Sequence, residues 1–249
     1  MIALAVGALF QVVNIATTPL PPARLPFAVG KTFEYRASSK LGGGRATLRV
    51  ERLDTVRGVP SWKFVFSPVV SGLFGLYKSQ SEFTSWTGVA DFISRRFLKD
   101  VNDNGKHRKD DHLIYPDSGF FRDNNYATTV PTAKTPLDDV AFFYFIRYVP
   151  LVVGKTYVFE NYFNATKSGV TIRVLGTEMM DMPDGSKVSC LRLYPIVEDP
   201  PNGMFLKKWN SRLWLTNDAR RIPVQIQAGT EFGSVTFRLV KITEPPDTP

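Results

Sequence analysis

The chain has 249 residues, with 31 Lys plus Arg against 23 Asp plus Glu for a formal net charge of +8, two histidines and one cysteine. A single cysteine excludes disulfide staples and paired-thiol metal sites, and two histidines leave little material for a histidine metal centre or a triad. The positive balance fits an anionic partner or a solvated basic face, but there is no long like-charge block and no nucleic-acid-binding motif, so no nucleic-acid partner is expected.

The apolar run Met1–Val13 has the length of a signal-peptide core, although its first basic residue is as late as Arg24. T-T-P-L-P-P-A-R-L-P follows, a proline-rich tether that should be extended. Residues 1–25 therefore read as a signal-like segment plus tether, 26–243 as a single β domain and 244–249 as a polar tail. Export is the expectation for such a beginning.

From residue 32 on, two-residue alternation dominates. Phe33, Tyr35 and Ala37 form one face of a strand; Ala46, Leu48 and Val50 continue it beyond Lys40–Gly44, which read as a hairpin turn. Arg57–Pro60 turns the chain, and Trp62, Phe64 and Phe66 make the next inward row. Ser67–Tyr77 follows neither period and reads as a loop or bent strand. Asp103-Asn104-Gly105 between Ile93–Val101 and His107–Tyr115 is a hairpin signal. Phe120–Thr128 is a further strand. Beyond residue 153, candidate strands span Gly154–Phe163, Gly169–Met180, Lys187–Ile196, Lys208–Thr216, Ile222–Ala228 and Ser234–Ile242, separated by short turns that imply antiparallel pairing.

One stretch breaks the pattern. T-P-L-D-D-V-A-F-F-Y-F-I-R-Y-V-P, Thr135–Pro150, reads as a helix capped by Thr135, with Pro136 in its first turn and Pro150 as its stop. From Val140 to Val149 it is apolar on every side except at Arg147, so it should be buried, and it is too short to span a bilayer. The expected fold is mainly β: a strongly curved antiparallel sheet or open β-barrel wrapped around one buried apolar helix.

The stretches P-F-A-V-G-K-T-F-E-Y at Pro26–Tyr35, T-P-L-D-D-V-A-F-F-Y-F-I-R at Thr135–Arg147 and L-W-L-T-N-D-A-R-R-I-P-V at Leu213–Val224, with V-G-K-T-Y at Val153–Tyr157, resemble the bacterial domain-of-unknown-function family 3108. The resemblance runs over Pro26–Ile242. It implies an exported, periplasmic β protein and carries over no catalytic residue, because the family has no established activity.

Searching the residues for chemistry yields little. His107 and His112 flank a hairpin and read as solvated strand positions. Asp100–Asp111 has calcium-loop spacing, but Lys106, Arg108 and Lys109 oppose a cation and the flanks are strand-like, so a plain hairpin is expected and no metal. Glu82 and Asp91, around Trp86, are the best carboxylate pair for glycoside hydrolysis. Arg147 should stabilise the helix C-terminus, with pairing to a ligand acid as the alternative.

What remains is apolar loops. Leu73, Phe74, Leu76 and Tyr77 form one; Met204, Phe205 and Leu206 with Lys207 and Lys208 form another. Such tips suit docking on a membrane surface or a membrane protein complex, and folding back over the barrel end is the competing reading. The expectation is a non-enzymatic, cofactor-free periplasmic protein, membrane-tethered, acting as an accessory subunit of a membrane assembly such as a respiratory or photosynthetic complex. A carrier holding an apolar ligand such as a lipid is the alternative, and a carbohydrate-active hydrolase the third.

Overall fold

The computed structural model describes residues 11–22, 25–40, 42–72, 76–124, 128–167, 169–197, 211–230 and 233–245. Strands β1 (Gln11–Ile15), β2 (Thr32–Ser39), β3 (Gly42–Val56), β4 (Val59–Gly72), β5 (Tyr77–Gly88), β6 (Ser94–Asp103), β7 (Lys106–Tyr115), β8 (Phe120–Asp123) and β9 (Thr129–Pro131) precede helix α1 (Asp139–Phe145). After it come β10 (Lys155–Phe159), β11 (Val170–Asp181), β12 (Lys187–Val197), β13 (Arg212–Thr216), β14 (Pro223–Thr230) and β15 (Gly233–Thr243).

The fifteen strands of the described residues belong to one sheet in the order β1-β10-β11-β12-β13-β14-β15-β2-β3-β4-β5-β6-β7-β8-β9. The alternation seen in the sequence sets its buried face: Phe33, Tyr35, Ala37, Ala46, Leu48, Val50, Phe64 and Phe66 are all inside. Asn104 and Gly105 turn β6 into β7 with φ of 51° and 83°, the left-handed pair that an Asn-Gly hairpin supplies. Hairpins alternate between two ends of the sheet. The β2–β3, β4–β5, β6–β7 and β14–β15 connections share one end; the β3–β4, β5–β6, β11–β12 and β13–β14 connections share the other.

Several expectations need correction. The sheet is mixed, because β1 pairs parallel to β10, with Gln11 opposite Lys155 and Ile15 opposite Phe159. Residues 1–10 lie outside the described part, but the end of the apolar N-terminal run is thus an edge strand. The tether beyond it is tied down by Thr18, whose amide donates to the Thr135 hydroxyl at 2.7 Å. The sheet is open, as expected: among the described residues β1 and β9 are its edges. Near them the chain makes an isolated parallel bridge between Leu137 and Tyr162, and the Ala165 amide donates to the Pro131 carbonyl at 3.1 Å.

The glycines 42–44 stand in β3 rather than in the turn. A β-carbon on Gly44 would collide with the Val69 carbonyl oxygen, so only glycine allows this approach of β3 to β4. Ser67–Gly72 is the strand alternative: β4 runs on through Pro68 to Gly72.

The helix is shorter than expected, seven residues, and its cap is Asp138, not Thr135. Leu137 is extended, its amide bonded to the Asn161 carbonyl at 2.8 Å and its carbonyl to the Phe163 amide at 3.0 Å, so the helix cannot begin before it. At the far end Arg147 and Tyr148 donate to the carbonyls three residues back, which tightens and ends the last turn. Val140, Ala141, Phe143, Tyr144 and Phe145 are buried. Tyr144 stacks on Phe64 of β4 with centroids 3.9 Å apart, and Phe142 and Phe145 each meet Phe159 of β10 edge-on at 5.4 Å. No helix among the described residues is long and apolar enough to cross a membrane.

Candidate functional site

The apolar tips expected to dock are described in part. Leu73 and Phe74 fall outside the described residues, as do Met204, Phe205, Leu206, Lys207 and Lys208. Leu76 is 81 % and Tyr77 37 % exposed, at the turn from β4 into β5. The register Ser39–Gly42, Gly72–Tyr77 and Ser79–Asp103 places exposed Lys40, Lys78 and Lys106 at the same end of the sheet. The Asn104 carboxamide accepts from the Lys78 amide at 2.7 Å, so the β6–β7 turn is pinned against the β4–β5 tip. β12 ends and β13 begins at this end as well.

The carboxylate pair proposed from the sequence is not brought together. Gly88 lies six steps along β5 from Glu82, about 20 Å at ~3.3 Å per residue, and Asp91 folds over Gly88, where its Oδ1 fills the place of a β-carbon. Glycosidase carboxylates stand within about 10 Å. Asp91 is instead clamped by Arg95 at 2.6 Å, and Glu82 accepts from Ser67 at 3.3 Å.

The calcium-like stretch is a hairpin whose carboxylates face side chains: Asp100 meets His107 at 2.6 Å and Asp111 meets Arg96 at 2.7 Å. His107 is exposed as expected. His112 is not: its side chain is largely buried among Phe97, Phe121 and Phe163, because it lies on the inner face of β7. Burial, helped by Lys99, lowers its pKa against the opposing pull of Asp123, whose carboxylate is 3.0 Å from Nδ1 but off-line for a hydrogen bond.

Two buried ionisable side chains flank the helix, one at its start and one just past its end. Asp138 is fully buried; Oδ1 accepts from the Val140 and Ala141 amides at 3.0 and 2.9 Å, and Oδ2 from the Ser85 hydroxyl at 2.6 Å. Its own amide donates to Ser94 Oγ at 2.9 Å. Burial pushes its pKa up to about 6, against the lowering effect of those donors. Ser85 and Ser94 are themselves wholly inaccessible, so this cluster caps the helix and has no approach for a substrate.

The second is Arg147. It does not serve its own helix end. Nε donates to the Arg221 carbonyl at 3.0 Å, and Nη2 to the carbonyls of Pro26 at 2.6 Å and Arg220 at 3.1 Å. The guanidinium lies over Phe27, Phe33 and Tyr144 at 5.6, 5.2 and 5.8 Å from the ring centroids. Among the described residues, buried Nη1 has no hydrogen-bond partner. Burial lowers the pKa to about 10, which leaves the group a cation at neutral pH. Arg147 also lines a cavity of about 290 Å³ between the β13–β14 turn, the chain just after α1 and the prolines of the tether. The β13–β14 turn and the start of β2 put this cavity at the end of the sheet opposite Leu76.

The family model described as "Protein of unknown function (DUF3108)" matches residues 32–240. The structure is similar to the crystal structure of a beta-barrel-like protein of domain of unknown function DUF1849 from Brucella abortus. The TM-score is 0.57 at 11 % identity, over 88 % of this chain and 99 % of that one. A candidate lipoprotein from Parabacteroides distasonis aligns with a TM-score of 0.29 at 7 % identity, over 90 % of this chain and 100 % of the other. No curated protein matches significantly. The likeness at 0.57 supports a beta-barrel-like fold and nothing finer.

Proposed function

The chain belongs to the DUF3108 family, and from that premise we propose that it is a non-enzymatic, exported accessory protein docked at the periplasmic face of a membrane assembly. In this reading the sheet curls around α1 as a rigid body, the N-terminal segment tethers it, and the β4–β5 tip makes the contact. The observation that carries it is the pairing of an 81 % exposed Leu76 and a partly exposed Tyr77 with Lys40, Lys78 and Lys106 at one end. Apolar side chains rimmed by lysines suit an interface with anionic headgroups and the proteins among them.

The helix packing favours this over a lipid carrier. A carrier needs open space between helix and sheet, and there Tyr144 lies flat on Phe64 while Phe142 and Phe145 close on Phe159. Hydrolysis is disfavoured by the separation of Glu82 from Asp91.

The test is membrane association of Leu76→Glu/Tyr77→Glu in a chain lacking the tethering residues 1–10, measured by sedimentation with native membranes against the same truncated chain with the wild-type tip. The charged tip should leave the chain folded, by circular dichroism, and mostly in the supernatant. Retention of the folded variant equal to that of the wild-type tip would defeat the proposal.

A further inference from the structure

We propose that the cavity at the Arg147 end binds an organic monoanion: a carboxylate carried on a small apolar body. Arg147 is 1 % exposed and charged, yet the groups it bonds are neutral carbonyls, and Nη1 bonds nothing. Among the described residues no carboxylate forms a salt bridge with it. A buried cation without a counter-ion is a costly state, and an anion entering the cavity relieves it.

The lining sets the kind of anion. Arg147 and Arg221 stand against a single carboxylate, Asp218, which is already held by Arg220 at 2.6 Å and the Thr216 hydroxyl at 2.7 Å. With Asp218 already paired to Arg220, the guanidinium groups of Arg147 and Arg221 are left without a carboxylate of their own, which favours an anion. Arg221 Nη1 is held loosely, at 3.5 Å from the Thr216 carbonyl and 3.4 Å from the Asn217 carboxamide, and so is free to turn to a ligand. Pro22, Pro26, Tyr148, Val149, Pro150 and Ala219 complete the wall with few donors. Free phosphate would leave most of its oxygens facing that wall, whereas a carboxylate presents its two oxygens to the accessible Arg221, its charge to Arg147 buried behind it and its apolar body to the prolines.

The site lies at the opposite end of the sheet from the docking tip, so its test stands apart from membrane association. Benzoate titrated calorimetrically into the full chain should bind saturably, with a dissociation constant near or below about 1 mM. Ala219→Trp places bulk at an exposed position of the lining, so it should weaken benzoate at least about tenfold with the melting temperature unchanged. In ¹⁵N spectra the Arg147 side-chain signals, assigned by their loss in Arg147→Lys, should move with benzoate. Three results would overturn the proposal: no saturation by about 20 mM benzoate, undiminished binding to Ala219→Trp, or inorganic phosphate binding as tightly as benzoate.

Discussion

Replacing Asp138 by asparagine isolates the cost of burying a carboxylate at the start of α1. The asparagine carbonyl can accept from the Val140 and Ala141 amides as Oδ1 does, and Ser85 can turn its hydroxyl to accept from the new amide. In the wild type the carboxyl titrates at about 6 in the folded state against an ordinary 3.8. The folded chain therefore holds a proton over that interval which the unfolded chain has released, and stability falls as pH rises from about 4 to about 6. At ~1.36 kcal/mol per pH unit the ionised form costs the fold about 3 kcal/mol at pH 7. Urea unfolding of both proteins between pH 4 and pH 7 measures it. The Asp138→Asn variant should be close to wild type near pH 4 and gain on it by about 3 kcal/mol at neutral pH. A difference between the two that stays flat across this range would refute the argument. Asp138→Ala, which also removes the cap, should lose about 1–2 kcal/mol relative to Asp138→Asn at every pH.

The Tyr144 hydroxyl is buried without a partner, so Tyr144→Phe should keep the stack on Phe64 and raise stability by about 1 kcal/mol in the same unfolding assay. Gly44→Ala drives a methyl against the Val69 carbonyl and should cost about 1–3 kcal/mol. Burial raises the Cys190 thiol to about 11, so the native protein should resist a disulfide reagent at neutral pH and react quickly once unfolded in urea.

The strands are legible where one face is buried and the other wet. Phe33, Tyr35 and Ala37 on β2, and Ala46, Leu48 and Val50 on β3, announce their side by alternation alone, and each is buried as read. Asn104-Gly105 is legible because the turn needs positive φ at both positions. The buried stretch of α1 is visible in its unbroken apolar run. Its start is not, because Thr135 and Leu137 are claimed by Thr18, Asn161 and Phe163, partners distant in sequence. The same holds for the site. Exposed Leu76 and Tyr77 can be named from composition, but the cavity beside Arg147 is assembled from the tether, the helix end and the β13–β14 turn, which no local pattern connects. The one hint is a lone cation in a greasy run. His112 reads wrongly as solvated because inner and outer faces of β7 carry similar polar residues, so the period that marks the other strands is missing there.

The last strand, β15, occupies the middle of the sheet, between β14 and β2. Without it, β2 through β9 and β10 through β14 are two separate meanders, each with a raw edge. Joining them requires contacts such as Ile242 with Phe33, the slow, long-range kind. A single strand thus decides whether two half-sheets become one body, and loosening β15 should expose two edges at once.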